Sequence, residues 1–341
     1  MSRDVILTGL RSNSAFHLGN YLGAIKPMTE LQARHSDDYQ INMFVPDLHS
    51  FTTPVDHETI YRQTLDNLKV YVAAGIDIND ASTFIYRQSF IPAHSEMEWI
   101  ISCFTYVGEL SRMTQYKEKA GKNPSAGLFM YPVLMIADIL LYDAKWVPIG
   151  EDQRQHLELT RDVAIRFNNK FGDIFTVPEE WDKQLEFMSL GKGLRIRSLK
   201  HPERKMSKSI EDPAGTIILT DNPGEAAKKI MAATTDSLDC IKLDWENQPG
   251  ISNLLQILSA LSSGSIDNLS KEWEGKSNYG ELKKVVADKV QAFLTEFQAK
   301  LALVDESAML AKLEADEAVM CDKAGEKLLQ VQKVTGLRQS N

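Results

Sequence analysis

Between Val5 and Tyr86 the sequence alternates strand-length apolar runs with longer segments of helical periodicity, and this alternation restricts the fold more than any other feature. Val5-Ile6-Leu7-Thr8 ends in Gly9, and Gly19 to His35 carries Leu22, Ile25, Met28 and Leu31 at helical steps. Ile41 to Val45 is a second apolar run stopped by Pro46-Asp47, Asp56 to Ala74 reads as a helix closed by Gly75, and Thr83 to Tyr86 is a third strand. Strands alternating with crossover helices predict a doubly wound α/β unit with a parallel sheet. Ligands of such sheets sit beyond the carboxyl ends of the strands, where Gly9, Asp47 and His49 fall.

Helical signals then dominate from Ser95 to Phe171, with one short strand near Trp146-Val147. Beyond a basic segment the chain is almost entirely helical. Asn222-Pro223-Gly224-Glu225 opens a helix, and 251–262, 279–301 and 308–334 repeat Leu, Val and Ile at three- and four-residue steps. The expected organisation is an α/β domain over 1–215 with an inserted helical region at about 95–171, whose apolar faces suit dimerisation, followed by an all-helical C-terminal domain over 216–341. With 341 residues, 43% of them hydrophobic, there is enough apolar material for both cores. The longest apolar stretch, Gly127 to Tyr142, is broken by Pro132 and Asp138 and is too short for a membrane span. No basic segment precedes a long apolar run at the start, so a cytoplasmic protein with no membrane partner is expected. Cys103, Cys240 and Cys321 lie far apart without metal-ligand spacing, and are expected to be buried thiols.

The net charge of −9 does not favour nucleic acid, yet Lys192 to Lys208 holds seven basic side chains against one acid, Glu203. Within it stands Lys205-Met206-Ser207-Lys208-Ser209. Two lysines on such a loop can hold nucleotide phosphates and follow negative charge as pyrophosphate departs. The other phosphate candidate is Gly9-Leu10-Arg11-Ser12-Asn13-Ser14-Ala15-Phe16-His17-Leu18-Gly19-Asn20, between the first strand and the first helix. Helix N-termini attract anions, Gly19 allows close backbone approach, and His17 and Asn20 add side-chain donors three residues apart. Asp138 is an acid in an otherwise apolar helix, expensive unless a donor meets it.

In this order the two motifs resemble the HIGH and KMSKS signatures of class I aminoacyl-tRNA synthetases. The blocks Gly19 to Ala24, Gly108 to Lys119, Ala137 to Tyr142, Gly150 to Asp162 and Pro249 to Leu255 resemble the bacterial tryptophanyl branch of that class, from residue 4 to about 260. The resemblance implies a Rossmann-like catalytic domain, a tRNA anticodon-binding C-terminal domain and a symmetric dimer. It implies ATP as a substrate with Mg²⁺ held mainly by its phosphates, and L-tryptophan and tRNA(Trp) as partners. By the same resemblance Asp138 accepts the indole N–H, Tyr131 and Gln153 hold the substrate ammonium, and His49 and Met135 line the indole pocket. Arg11, Ser12, Asn13, Gly19, Asn20, Gly150, Glu151, Asp152 and Ile196 fall to ATP, with Lys205, Met206, Ser207, Lys208 and Ser209. His17, Asn20, Lys119, Lys205 and Lys208 are the implied catalytic group. Read without the family, Asp152 is the N-cap of the helix through His156.

One tract departs from the branch. Arg11-Ser12-Asn13-Ser14 stands where most members have Gln-Pro-[Ser/Thr]-Gly, which removes a glycine from a loop that can need positive φ. Tyrosyl-tRNA synthetase shares fold and signatures and would also present an aspartate to its substrate. A degenerate paralogue that binds tRNA or nucleotide without activating an amino acid is the non-catalytic alternative, opposed by the intact KMSKS.

Overall fold

Strands that are apolar at successive positions need cover on both faces. Val5–Gly9 (β1), Gln40–Val45 (β2), Thr83–Arg87 (β3) and Ala144–Trp146 (β4) form one parallel sheet in the order β3-β2-β1-β4. This is a computed structural model, and it describes residues 3–339 apart from 13, 53, 121–122, 189–193, 208–211 and 263. Along the strands alternate side chains feed two cores. Ile6, Ile41, Met43, Val45 and Ile85 enter one, with Leu22, Ile25, Leu65, Leu68 and Tyr71 from the helices on that face. Leu7, Phe44 and Tyr86 enter the other, with Met97, Ile101, Val133, Ile136 and Val163.

The three N-terminal strands lie where the sequence puts them, and the helices differ at their ends. Ile60–Ala74 starts later than Asp56, because the Asp56 carboxylate accepts from Glu58 N (3.1 Å) and Thr59 Oγ1 (2.7 Å) in a turn ahead of it. Gly75 closes that helix at φ +117°. The segment from Leu18 to His35 is helical throughout, but Tyr21–Ile25 is a π-turn in which Lys26 N donates to Tyr21 O. Pro27 follows and has no N–H to continue a regular ladder. Two helices, Trp181–Met188 and Ile266–Trp273, were not marked by the sequence periodicity.

The halves on either side of residue 215 share a core. Ile217, Leu219, Ile230, Leu254, Val286 and Phe297 belong to the same apolar cluster as Ile6 and Ile41. The last helix, Glu306–Val334, returns to the sheet and lies along the free edge of β3. The thiols depart from expectation: Cys103 and Cys240 are exposed and Cys321 is half-buried. Cys103 caps the end of Ala93–Ser102 and Cys240 precedes the buried Ile241 in a loop, so neither lies on a core-facing side. Among the described residues no helix is long and apolar enough to cross a membrane.

Candidate active site

Tyr131, Met135 and Asp138 stand four and three residues apart on the helix Ala126–Leu140, so one helical face carries all three. Met135 is half-buried, whereas Asp138 is wholly buried. A carboxylate there persists only if donors surround it. His49 Nε2 lies 2.9 Å from Oδ2, Gln88 Nε2 donates to Oδ1 at 2.7 Å, and His94 Nδ1 meets Oδ1 at 2.6 Å. Burial pushes the Asp138 carboxyl up, but the hydrogen bonds from His49 and His94 outweigh it and hold it below the usual carboxylate range. His94 Nε2 is in turn 2.9 Å from Tyr142 Oη. The His49 ring stands edge-on to Tyr131 at 6.1 Å, so His49 joins Tyr131 and Asp138 beyond the carboxyl end of β2.

A polar web leads from Tyr131 to the next loop. Tyr131 Oη donates to Gln115 Oε1 (3.2 Å) and lies 3.0 Å from His156 Nε2. Burial raises the Tyr131 phenol to about 12 and lowers the His156 imidazole to about 4, so both are neutral at pH 7. Gln115 Nε2 donates to both the carbonyl and the carboxylate of Asp152, and Lys119 Nζ donates to Gln115 Oε1 at 2.9 Å. Gln153 Nε2 also donates to Asp152 Oδ2 at 2.8 Å. Asp152 is not the helix N-cap: it lies in the 3₁₀ turn Glu151–Gln153, and Gln153 occupies the cap of Arg154–Phe171. Its carboxylate is turned toward two side-chain amides instead. Gly150 precedes that turn with extended backbone.

At the turn after β1, His17 caps the first helix. Asn20 N donates to His17 Nδ1 (3.2 Å) and His17 N donates to Asn20 Oδ1 (3.1 Å), a reciprocal box. The Asn20 carbonyl is thus spent on the cap and its amide end remains as the donor. Burial, with the nearby charges of Arg11 and Lys205, lowers the His17 imidazole to about 4. A neutral ring that accepts at Nδ1 carries its proton on Nε2, which makes it a donor without positive charge. Gly19 and Gly23 admit the segment that follows residue 193. A Cβ at Gly19 would sit 3.4 Å from Ile196 Cβ, and one at Gly23 would sit 2.6 Å from Leu194 O. Ile196 is buried and its carbonyl accepts from Met206 N at 3.0 Å, closing a hairpin in which Arg197 pairs with Lys205. Asn253 fixes that hairpin through both Arg197 N (2.8 Å) and Arg197 O (3.0 Å). Met206 is buried, Lys205 is exposed, and Thr216 Oγ1 donates to Ser207 O. Asn13, Lys208 and Ser209 lie outside the described residues.

The divergent tract is tied to one face of Ile60–Ala74. Arg11 N donates to Tyr71 Oη (3.0 Å), Asn67 Nδ2 donates to the carbonyls of Arg11 and Ser14, and Ser12 Oγ meets Ser50 Oγ at 2.5 Å. Ser14 has φ +65°, the left-handed conformation a glycine would take more easily. Gln88, His94 and Gln115 escaped the sequence reading. Gln88 and His94 come from the segment after β3 and reach Asp138 only through the folded chain, and no spacing marks such a contact.

The family profile described as tRNA synthetases class I (W and Y) matches residues 3–295. A tryptophan--tRNA ligase of Caldanaerobacter subterraneus is 44% identical over 338 residues, covering 97% of this chain and 98% of that protein. One of Corynebacterium efficiens is 45% identical over 327 residues, covering 94% and 90%. Among solved structures, tryptophanyl-tRNA synthetase of Mycoplasma pneumoniae superposes with a TM-score of 0.81 at 32% identity over 98% of each chain. The Campylobacter jejuni enzyme, complexed with ADP and tryptophan, gives 0.77 at 33% identity over 97% and 99%.

Proposed function

Since the chain belongs to the tRNA synthetases class I (W and Y) family, we propose that Tyr131, Met135, Asp138 and His49 take tryptophan and that the His17 turn, the hairpin from Ile196 to Met206 and the Ser207-Lys208-Ser209 that follows it in sequence take ATP. The chain is an enzyme, a ligase that joins tryptophan to tRNA. The observation that carries the residue assignment is the buried Asp138 carboxylate. Three protein donors reach it, and a carboxylate has room for about four. An indole N–H is the kind of uncharged donor that completes this set.

In the first step a tryptophan carboxylate oxygen attacks the α-phosphorus of ATP. The bond to the bridging oxygen of the β-phosphate breaks, and pyrophosphate leaves with that electron pair. In the second, a terminal ribose hydroxyl of tRNA attacks the acyl carbon and AMP departs. Neither step needs a covalent bond to the protein, so the side chains supply position and charge. His17 Nε2–H and the Asn20 amide donate to phosphate oxygens, while Lys119, Lys205 and Lys208 follow the departing pyrophosphate. Asp152, set by Gln115 and Gln153, accepts from a ribose hydroxyl, and Gln153 and Tyr131 lie on the side of the ammonium group. Magnesium enters with ATP, bound by phosphate oxygens and its own waters.

Tryptophan-dependent ATP–pyrophosphate exchange tests this reading: tryptophan alone among the common amino acids should support exchange, and faster exchange with tyrosine would overturn it.

A symmetric dimer also belongs to this proposal. Met97 and Ile101 of Ala93–Ser102 are buried, but Trp99 is 73% exposed and stands with Tyr106 (61%) and Val107 (69%). Three exposed apolar side chains of this size within nine residues support a self-complementary contact across which one tRNA could be shared. Sedimentation equilibrium at micromolar protein should find twice the chain mass of 38.4 kDa, and Trp99→Asp should halve it. A fully active species of single-chain mass would refute the dimer.

A further inference from the structure

We propose that Glu317, on the last helix, is a positioning residue for tryptophan recognition: it fixes Arg87 at the end of β3 and, through the adjoining Gln88, the carboxylate of Asp138. The inference rests on the reading of Asp138 as the acceptor of the indole N–H.

The edge of a parallel sheet presents unpaired backbone groups. β3 is bonded to β2 on one side only, and the helix Glu306–Val334 covers the other with side chains. Asp316 Oδ2 accepts from Ile85 N at 2.7 Å, Glu317 Oε1 accepts from Arg87 N at 3.1 Å, and Lys312 Nζ donates to Thr83 O at 2.8 Å. The helix thus replaces a missing strand. Glu317 does more than close the edge. Its two oxygens also take Arg87 Nε (2.6 Å) and one guanidinium terminus (2.8 Å), and both side chains are nearly buried. A paired charge in such a place gains little net stability over an apolar pair of the same volume, but it fixes geometry closely.

That geometry is transmitted over one peptide bond. Gln88, wholly buried, leaves β3 directly after Arg87, and its amide donates to Asp138 Oδ1. The same helix supports a second Asp138 donor independently. Gln332 Nε2 donates to Glu96 Oε1 at 2.5 Å, and Glu96 lies two residues after His94 on Ala93–Ser102. Tryptophan affinity is thereby linked to the seating of the C-terminal helix, while the bonds of Glu317 run to Arg87 and not to His17 or Ile196.

The test compares Glu317→Ala, Glu317→Gln, Gln332→Leu and Asp138→Asn in pyrophosphate exchange, reading the KM for tryptophan, the KM for ATP and kcat separately, with thermal melting as a fold check. Glu317→Ala should raise the tryptophan KM roughly tenfold, the loss expected from one misplaced buried bond. Its ATP KM should stay within about twofold, and Glu317→Gln, which keeps an acceptor for Arg87 N–H, should lose less. If Asp138→Asn raises the tryptophan KM while Glu317→Ala only lowers the melting temperature, Glu317 is structural and the proposal fails, though the Asp138 reading stands. An unchanged tryptophan KM in Asp138→Asn removes the Asp138 reading and the proposal with it. Should Glu317→Ala not fold, Glu317→Gln and Gln332→Leu carry the same decision, and native tryptophan KM values in both overturn the inference.

Discussion

The two sides of the active site are built on opposite principles. Around Asp138 the donors His49, Gln88 and His94 are already in place, so its carboxylate is organised before any ligand arrives. On the side we propose for ATP, Lys119 and Lys205 are exposed, whereas His17, Gly19, Ile196 and Asn253 are buried. Telling one flat aromatic amino acid from others requires a donor and acceptor that cannot shift. Following charge from a triphosphate to a leaving pyrophosphate requires cations that can move.

This contrast is broken most severely at the lysines. Lys205→Ala, and Lys208→Ala to a greater extent, should lower kcat for exchange by a factor on the order of 100 to 1,000 while leaving tryptophan binding near native, because the charges act as pyrophosphate departs. Equal losses in binding and rate would make the hairpin an ordinary binding surface.

The buried imidazoles of both sides should betray themselves in acid. His17 and His156 protonate near 4 in the folded chain, because burial disfavours their charged forms. The unfolded chain protonates them near its ordinary value of about 6.5 and so binds more protons between these limits. The stability held above about pH 6.5 is therefore lost as the pH falls towards 4, by up to about 3 kcal/mol for each group. Asp138 acts lower: its depressed value gives stability present above the ordinary carboxylate range and lost below it. Thermal melting from about pH 7.5 to 4.5 should show the histidine part, and His156→Gln should flatten it. A curve with no slope in that window would contradict the neutral assignments.

Asp138→Asn is a smaller change aimed at one bond. An amide turns a donor toward His49, His94 or the indole, and a mispaired buried donor costs ~1–3 kcal/mol. The tryptophan KM should rise accordingly while the ATP KM holds; comparable rises in both would show that the two sides are not separately built.

The smallest effect is expected at Ser14. Its left-handed backbone strains a residue with a Cβ, so Ser14→Gly should stabilise the fold by ~1 kcal/mol or less and raise Tm by about 2 °C. A lower Tm would mean that the extra freedom glycine gives the unfolded chain outweighs the relieved strain, since the bonds to Gln63 and Asn67 use the Ser14 backbone and survive the change.

Legibility followed sequence distance. Each N-terminal strand was readable because burial on both faces forces an unbroken apolar run, and Gly75 marked its helix end because only a left-handed residue fits there. Tyr131, Met135 and Asp138 could be placed on one face from helical spacing alone. Gln88 and His94 were invisible, since a buried glutamine and a buried histidine look like any others until the chain closes around them. Asp152 misled for a related reason: acids before a helix usually cap it, and here Gln115 from a distant helix claims the carboxylate first.

The sequence by itself determined the parallel α/β unit, the turn into the first helix around His17 and the basic loop that carries Lys205, because each depends on local periodicity or on residues within one turn of each other. Only the tertiary structure decided that the helix Glu306–Val334 would come back to close β3, and that Asp138 would be held by three donors from the segments after β2 and β3. Those bonds join residues tens to hundreds of positions apart, and their partners are selected by which groups burial leaves unpaired, a condition that exists only once the chain has folded.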